Sequence, residues 1–423
     1  MEYGWRDILM EELGLSRAEH KILTNYELDP PLNTKLTLQQ LYGFDSAISE
    51  ADVVATLSNA KDFTRRVGIS YEEIIEILKT RFINPNSTLI PRLERLGVPF
   101  STIKALKDGT TIPGDDFSSE DFGKLLPAGL DPVAYGGDPE ALADDGSNYA
   151  EVMGSIMKTW VTSAYDDIMG LITASNPAED LCSFKSLEFR YSDPDKINTP
   201  VRAFEFVRLI RFIRLWRKLG WTIEQTDKAI IALYPVDQIP DDPDDAVNLQ
   251  RLDAGFLILL PRLGVFRRVM RALKLKPKKD LLPLLACFAP IDTHGAASLY
   301  RRMFVSQALL KQDPAFDDDG FGNFLTASDQ KLLDHAEGLR AAFLLTGEEL
   351  SEIIAALEFT DQTTLTLDDI SAIFRRGWLA RKLKLSVREF LLLTQFTGID
   401  AFAPPDPPDP PSRPEGPPIF ASH

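Results

Sequence analysis

Residues 219–230 read LGWTIEQTDKAI, and this stretch decides the fold class. It places Thr222 three residues before Gln225, with the apolar Trp221 and the flexible Gly220 in front. The threonine hydroxyl can accept from a free N–H group in the first turn of a helix, and the glutamine can reach back to the threonine N–H. Gly220 suits the left-handed position that ends a preceding helix. The stretch therefore predicts a helix–turn–helix unit.

Four other stretches repeat this pattern, at residues 13–23, 67–78, 343–354 and 383–393. In each of them a Ser or Thr follows an apolar residue and precedes a Glu by three positions. The predicted helix N-caps are Ser16, Ser70, Thr222, Thr346 and Ser386. Weaker copies lie at residues 96–106 and 273–285. The unequal spacing of the copies is not that of a solenoid with a fixed period.

Longer segments with helical periodicity lie between these units. Residues 200–219 carry apolar side chains at the spacing of one helix face, namely Phe204, Val207, Ile210, Ile213 and Trp216. Residues 257–273, 328–342 and 368–383 have a similar pattern, and no stretch alternates polar and apolar residues as a strand does. We therefore predict an all-α fold, an irregular array of capped helix–turn–helix units that forms a shell-type domain with long loops.

Composition divides the chain into five predicted segments. The helical subdomains are an N-terminal one at residues 1–108, a central one at 149–290 and a C-terminal one at 291–402. Residues 109–148 are predicted to be an acidic loop, rich in glycine and proline, with one short helix. Residues 403–423 form a proline-rich tail, which we expect to be extended because proline lacks the N–H group that helices and strands need.

The chain has 423 residues and a net charge of −17, which disfavours binding to nucleic acids and to anionic membranes. The apolar run at residues 255–260 ends at Pro261, far short of the ~20 residues that span a bilayer. We expect no signal peptide, because the N-terminus does not combine a basic stretch with an apolar run. Cys182 and Cys287 form no CxxC pair and are predicted to be small buried apolar residues.

Three features suggest a chemical role, and each has a simpler interpretation. Residues 292–294 (Asp-Thr-His) supply too few ligands for zinc and favour a polar turn. Residues 317–320 do not fit an EF-hand, because Ala315 and Thr326 would take positions that need carboxylates. The third feature is a basic stripe, which suggests a nucleic-acid surface but for which we favour a solvated or interdomain face. It consists of Arg208, Arg211, Arg214, Arg217 and Lys218. We predict no catalytic, cofactor-binding or metal-binding residues and expect the chain not to be an enzyme.

Several longer phrases resemble the A subunits of Tc toxins, also called the virulence-plasmid A protein family. Residues 212–219 followed by GWTIEQTDKAI are similar to a phrase of that family, as is WLARKLKLSVREFLLLTQFTGIDAF at residues 378–402. The other phrases that resemble the family are residues 61–85, 290–295 and 298–304. The resemblance runs through most of residues 61–411 and is weakest over residues 109–147.

The resemblance implies a segment of the helical shell in a large secreted toxin subunit. Subunits of this family assemble as a homopentamer whose shell surrounds a translocation channel, and a separate subunit supplies the toxic enzyme. The implied partners are the remainder of the A subunit, its pentamer and host-cell receptors, in an extracellular location. The implied role of this segment is structural, with no cofactor and no membrane insertion.

Two alternatives stay open at this point. One is a generic α-helical protein-interaction scaffold that binds a partner helix or peptide, and the other is an enzyme whose site is built from ordinary residues. We expect a shell fragment to expose apolar faces that lack their native partners, on the first helix and around residues 390–402. We expect no pore formation, because nothing in the sequence resembles the channel region of the family.

Overall fold

The computed structural model describes residues 11–26, 35–108, 119–126, 130–137, 149–176, 186–193, 199–320, 322–327 and 330–403. Helices account for 65% of the structure and strands for 3%, which confirms the predicted all-α class. None of the described helices is long and apolar enough to cross a membrane. Cys287 is buried, as predicted. The predictions for Cys182 and for the tail beyond Ala403 lie outside the described residues.

The helices in the N-terminal part of the chain, before the β-sheet described below, are α1 (Arg17–Thr24), α2 (Leu38–Tyr42), α3 (Glu50–Ser58), α4 (Ala60–Val67), α5 (Tyr71–Leu78), α6 (Leu89–Leu96), α7 (Phe100–Asp108), α8 (Ser119–Leu125) and α9 (Tyr149–Met169). The helices after it are α10 (Ala203–Leu219), α11 (Ile223–Leu233), α12 (Asp245–Ala272), α13 (Pro277–Leu285), α14 (Leu299–Phe304), α15 (Gln307–Gln312), α16 (Ala336–Phe343), α17 (Gly347–Ala356), α18 (Leu367–Leu383) and α19 (Val387–Thr397). Short 3-10 turns lie at Pro132–Tyr135, Val236–Gln238, Pro314–Phe316 and Leu332–His335.

All five predicted capping boxes are present. In each box the side chain of the cap accepts from a backbone N–H three residues later, and the side chain of that later residue accepts from the cap N–H. Gly220 has a φ of +68°, the left-handed value at which the preceding helix ends. A sixth box, which we did not predict, joins Thr37 to Gln40 and starts α2.

We expect Ser386→Ala to lower the free energy of unfolding by about 1 kcal/mol, the usual cost of losing an N-cap. Ser386 Oγ accepts from the N–H of Glu389 at 3.2 Å, and alanine leaves that donor without this acceptor. Ser412→Ala, in the proline-rich tail, is the control and should change stability far less. Chemical denaturation followed by circular dichroism compares the two variants, and equal effects would contradict a role for the cap.

A two-stranded antiparallel sheet lies in a part of the chain where the sequence showed no alternating strand pattern. β1 (Ile172–Ser175) pairs with β2 (Glu188–Tyr191), with Ile172 opposite Tyr191. The side chain of Asn84 holds β1 from outside the sheet, since it accepts from the N–H of Ile172 and donates to its carbonyl oxygen, both at 2.9 Å. Strands of four residues give too short a pattern to recognise, and this tertiary contact is not visible in the sequence.

The long helix α12 begins earlier than predicted. It has 28 residues, and the helix predicted at residues 257–273 covers only its C-terminal part, including Pro261. The predicted start is therefore twelve positions too late. Pro261 is buried and lacks one N–H group, so the helix loses one backbone hydrogen bond there while its neighbours hold it in place.

Among the described residues, the buried apolar side chains form two clusters. The larger one extends from Leu13 to Phe390 and draws on all three predicted helical subdomains. The smaller one extends from Leu93 to Leu171 and is built from α6 to α9 with the intervening turn. The smaller cluster thus joins residues on both sides of the predicted acidic loop.

The larger cluster contains the same three-turn arrangement twice. In copy 1 the turns that lead into α1, α5 and α11 have their left-handed residue at Gly14, Gly68 and Gly220. In copy 2 the turns that lead into α13, α17 and α19 have it at Lys274, Leu344 and Lys384. The helices before the third turn, α10 and α18, have 17 residues each, and those after it, α11 and α19, have 11 each. The helix α12 joins the two copies.

Candidate functional site

Two basic residues at the end of α10 hold the turns of copy 1 together. Arg217 donates to the carbonyl oxygen of Gly68, which lies two residues before a predicted cap. Lys218 Nζ pairs with Glu19 Oε1 at 2.9 Å, and Glu19 is the acidic residue of the first capping box. The next residues form the third turn of the copy. The predicted caps that this arrangement brings together are Ser16, Ser70 and Thr222.

The end of α18 repeats this arrangement in copy 2. Arg381 donates to the carbonyl oxygen of Leu344 at 3.5 Å, and Lys382 Nζ lies 2.6 Å from Asp280 Oδ1. Asp280 Oδ2 accepts from the N–H of Lys276, as Glu19 does from its own cap residue. The other two predicted caps, Thr346 and Ser386, therefore belong to copy 2.

The sequences of α10 and α18 also correspond. When the two helices are aligned at their last residues, they are identical at Arg211/Arg375, Leu215/Leu379, Arg217/Arg381, Lys218/Lys382 and Leu219/Leu383.

The carboxylates of both lysine pairs have a lowered pKa. The backbone N–H of Ser16 is the main cause for Glu19, and Lys218 lowers its pKa further. Burial raises the pKa of Asp280, but the N–H of Lys276 and the ammonium group of Lys382 outweigh it, and the net pKa is lowered. A carboxylate of this kind stabilises the fold above its unfolded pKa and loses that contribution as the pH falls through its folded pKa.

We therefore expect the free energy of unfolding to fall as the pH drops below 4.5 for Glu19 and below 3.8 for Asp280, their ordinary values. Lys218→Met and Lys382→Met should each make this fall smaller, because they raise the folded pKa of one carboxylate toward its unfolded value. Urea titrations between neutral pH and pH 3 measure the difference. A pH dependence identical to that of the unmodified chain in both variants would contradict the assignment.

The helices that follow the third turns, α11 and α19, differ in how much of their surface other helices cover. The buried residues of α11 are Ile223, Thr226, Asp227, Lys228, Ala229, Ile230 and Leu233, and this helix contacts α5, α10, α12 and α13. Those of α19 are Val387 and Phe390, and its main neighbours are α17 and α18. Among the described elements, no helix packs on α19 as α12 packs on α11.

The uncovered side of α19 and of the turn after it is apolar. Leu392, Leu393, Phe396 and Ile399 have exposed fractions of 42%, 49%, 83% and 66%, and we call these four residues the α19 face. Leu392, Leu393 and Phe396 lie within about one turn of each other and therefore share one side of α19. Ile399 follows the end of the helix, after the left-handed Gly398. Monomeric proteins rarely expose large contiguous apolar patches. The exposure of these side chains agrees with the expected apolar face at residues 390–402, whereas the segment before Leu13, for which the same was expected, lies mostly outside the described residues.

An open groove of about 590 Å³ lies beside the α19 face, between α17, α18 and α19. Arg376 lines it, with its guanidinium carbon 5.3 Å from the ring centre of Phe402. The equivalent position of copy 1, also seven residues before the end of its helix, is Phe212. Phe212 is fully buried, and its ring centre lies 6.1 Å from that of Phe82. The position that an aromatic ring fills in the core of copy 1 therefore lines an open groove with charged walls in copy 2.

The predicted basic face of α10 is corrected by the structure. Arg208 and Arg211 are 6% and 1% exposed, so they do not belong to a solvated face. They pair with Glu205 and with Asp253 of α12, and burial lowers the pKa of Arg211. The reason is that α1, α2, α3 and α12 enclose this part of α10. Arg214 is exposed.

The two acidic motifs take part in internal ion pairs. Asp292 lies 3.5 Å from Arg81 and 2.7 Å from Lys228, which closes the turn at residues 292–294. Asp318, in the run at residues 317–320, lies 3.2 Å from Arg301. Within the described ranges, no group of three or more His, Cys, Asp or Glu side chains is placed to hold a metal ion.

The described part of the chain thus offers an apolar contact surface as its clearest candidate site. The α19 face and the adjoining groove come from the second of two copies, and the first copy shows how such a helix packs when it is covered. The sequence predicted an exposed apolar surface at residues 390–402. It did not reveal that α19 repeats α11 of copy 1, whose packing shows how such a helix is covered. Comparisons of the chain with family models, curated proteins and solved structures give no significant match.

Proposed function

We propose that the chain is a structural shell segment of a Tc toxin A subunit, and that its α19 face docks the next helical element of that shell. The observation that carries the proposal is the contrast between α11, which α12 covers, and α19, whose Phe396 is 83% exposed. Two equivalent helices in one chain differ mainly in whether further helices, α12 and α13, pack on them. A further helix on α19 would complete copy 2 as α12 completes copy 1.

The resemblance of residues 378–402 to the toxin family supports the same role, because this phrase contains the whole of α19. In such a shell the segment scaffolds receptor binding and toxin translocation in the assembled subunit. It performs no reaction itself, since the toxic enzyme of the family belongs to a separate subunit. Its partners are then the remainder of the A subunit and the other members of the pentamer, in a secreted complex.

The size of the α19 face suits a neighbour held in the same subunit. Covering its partly exposed side chains would contribute about 1–2 kcal/mol for each of them. Association of a separate chain costs several kcal/mol in lost freedom, so this face alone supports only weak binding between free molecules. A neighbouring element that the rest of the subunit holds nearby avoids most of this cost.

Photo-crosslinking in the native host tests the proposal. A photoreactive phenylalanine analogue replaces Phe396, and mass spectrometry maps the cross-links that form on illumination. We expect cross-links to an apolar helical segment of the same toxin subunit. The analogue at Glu72, which is exposed on α5, is the matched control and should not give these products.

The same experiment separates this proposal from its alternative. Cross-links from residue 396 to a protein unrelated to a toxin subunit would favour a generic α-helical interaction scaffold, which would use the same face for a different partner. If residue 396 gives no cross-link above the level of the Glu72 control, the α19 face is not a docking surface and the proposal fails.

A further inference from the structure

An arginine-lined cleft lies between α6, the turn at residues 293–296 and the start of α14. Its volume is about 690 Å³, and hydroxyl groups of Ser87, Thr88 and Thr293 line it together with His294. The four arginines that line it are Arg81, Arg92, Arg95 and Arg301. No aspartate or glutamate is among the described residues on its walls. This concentration of positive charge stands out in a chain whose net charge is −17.

On one wall, the arginines outnumber the carboxylates behind them. Arg95 and Arg301 share the carboxylate of Asp318, at 3.8 and 3.2 Å. Arg92 donates to the amide oxygen of Asn323 and to a backbone carbonyl oxygen, which are neutral acceptors. Asp318 is thus the one carboxylate that these three guanidinium groups contact directly, and Asp319 lies behind Asn323. The wall keeps a modest excess of positive charge.

On the opposite wall, Asp292 lies between Arg81 and the buried ammonium group of Lys228. Lys228 also pairs with Glu224 at 3.0 Å, so the charges of this wall are balanced. Burial is the main cause of the lowered pKa of His294, and the positive charge of Arg81 lowers it further. Both effects favour the neutral imidazole, which adds hydrogen-bonding capacity to the wall without adding charge.

We propose that this cleft binds a small multivalent oxyanion of the phosphate type, held between the guanidinium groups of Arg95 and Arg301 on one wall and Arg81 on the other. Guanidinium groups form strong, often bidentate, charge-assisted hydrogen bonds with phosphate oxygens. The hydroxyl groups of Ser87 and Thr293 supply further donors for an anion with several oxygens. The site uses no residue of the α19 face and does not depend on the proposed shell function.

Isothermal titration calorimetry on the full chain tests the site with three probes at constant ionic strength: inorganic phosphate, pyrophosphate and glycerol phosphate. We expect pyrophosphate to bind with one-to-one stoichiometry. Arg301→Gln should weaken this binding about tenfold, because it removes one charge-assisted hydrogen-bonding group. Arg302→Gln is the matched control, since Arg302 is exposed on the same helix and does not line the cleft.

Equal affinities in the Arg301 and Arg302 variants would overturn the proposal, as would heats from pyrophosphate no larger than those from sodium chloride. Arg95→Gln is a second cleft variant, chosen because its side chain is 42% exposed and its loss disturbs the fold little. It should show the same tenfold weakening. Tighter binding of glycerol phosphate than of phosphate would support a phosphorylated metabolite as the source of the anion, and the reverse order would support a free oxyanion.

Discussion

Asp253→Ala is expected to lower the free energy of unfolding by about 3–5 kcal/mol, the usual cost of leaving one member of a buried ion pair without its partner. Asp253 belongs to α12 and pairs with Arg211 of α10, whose side chain is almost fully enclosed. Alanine removes the carboxylate while the guanidinium group stays buried. Burial lowers the pKa of Arg211 even in the intact pair, so this site disfavours the charge.

Two further variants separate two causes of the lowered free energy of unfolding. One cause is the unpaired charge of Arg211, and the other is the loss of packing contacts. The double variant Arg211→Met with Asp253→Leu removes both charges, and we expect it to be much more stable than Asp253→Ala. Arg375→Met changes the equivalent arginine of copy 2, which is half-buried and has a backbone carbonyl as its acceptor. Its effect should be within about 1 kcal/mol.

Guanidinium chloride titrations of these variants measure the differences directly. If the unpaired buried guanidinium group causes the destabilisation, Asp253→Ala must be the least stable of the three variants. If the double variant were as unstable as Asp253→Ala, the effect would come from lost packing between α10 and α12, and the buried charge would not be its cause.

The capped turns were the part of the fold that the sequence predicted best. A hydroxyl residue, an acidic or amide residue three positions later and a glycine in front are local signals, because their hydrogen bonds close within one turn. The internal duplication escaped prediction for a related reason. In copy 2 the left-handed positions are Lys274, Leu344 and Lys384, which carry no glycine signal, and Lys276 stands where the first turn of copy 1 has a hydroxyl cap.

Other features depend on neighbours that are distant in the sequence. Arg208 and Arg211 have the spacing of a solvated face, and only the packing of α1, α2, α3 and α12 around them shows that they are enclosed. Packing on its own neighbours likewise holds α12 helical through the buried Pro261. The apolar face at residues 390–402 was predictable because the resemblance suggested a missing neighbour. The arginine-lined cleft was not, since Arg81, Arg92 and Arg301 meet only in the fold.

Phe212→Arg is expected to cost about 4 kcal/mol or more, which places it among the most damaging single substitutions. Phe212 is fully buried on α10 and packs near the ring of Phe82, itself close to Phe256 of α12. These rings offer an arginine no carboxylate, so its charge would be desolvated without compensation. Thermal unfolding and the yield of folded protein measure the effect.

The reverse exchange in copy 2, Arg376→Phe, should change the stability by no more than about 1 kcal/mol, because this position lines an open groove. It replaces the contact between Arg376 and Phe402 with a contact between two rings and adds apolar surface beside the α19 face. The two exchanges are chemically opposite at equivalent positions, so a difference in their effects reports how far each position is enclosed. Similar losses in both variants would mean that the groove of copy 2 is already covered, and the docking proposal for α19 would lose its main support.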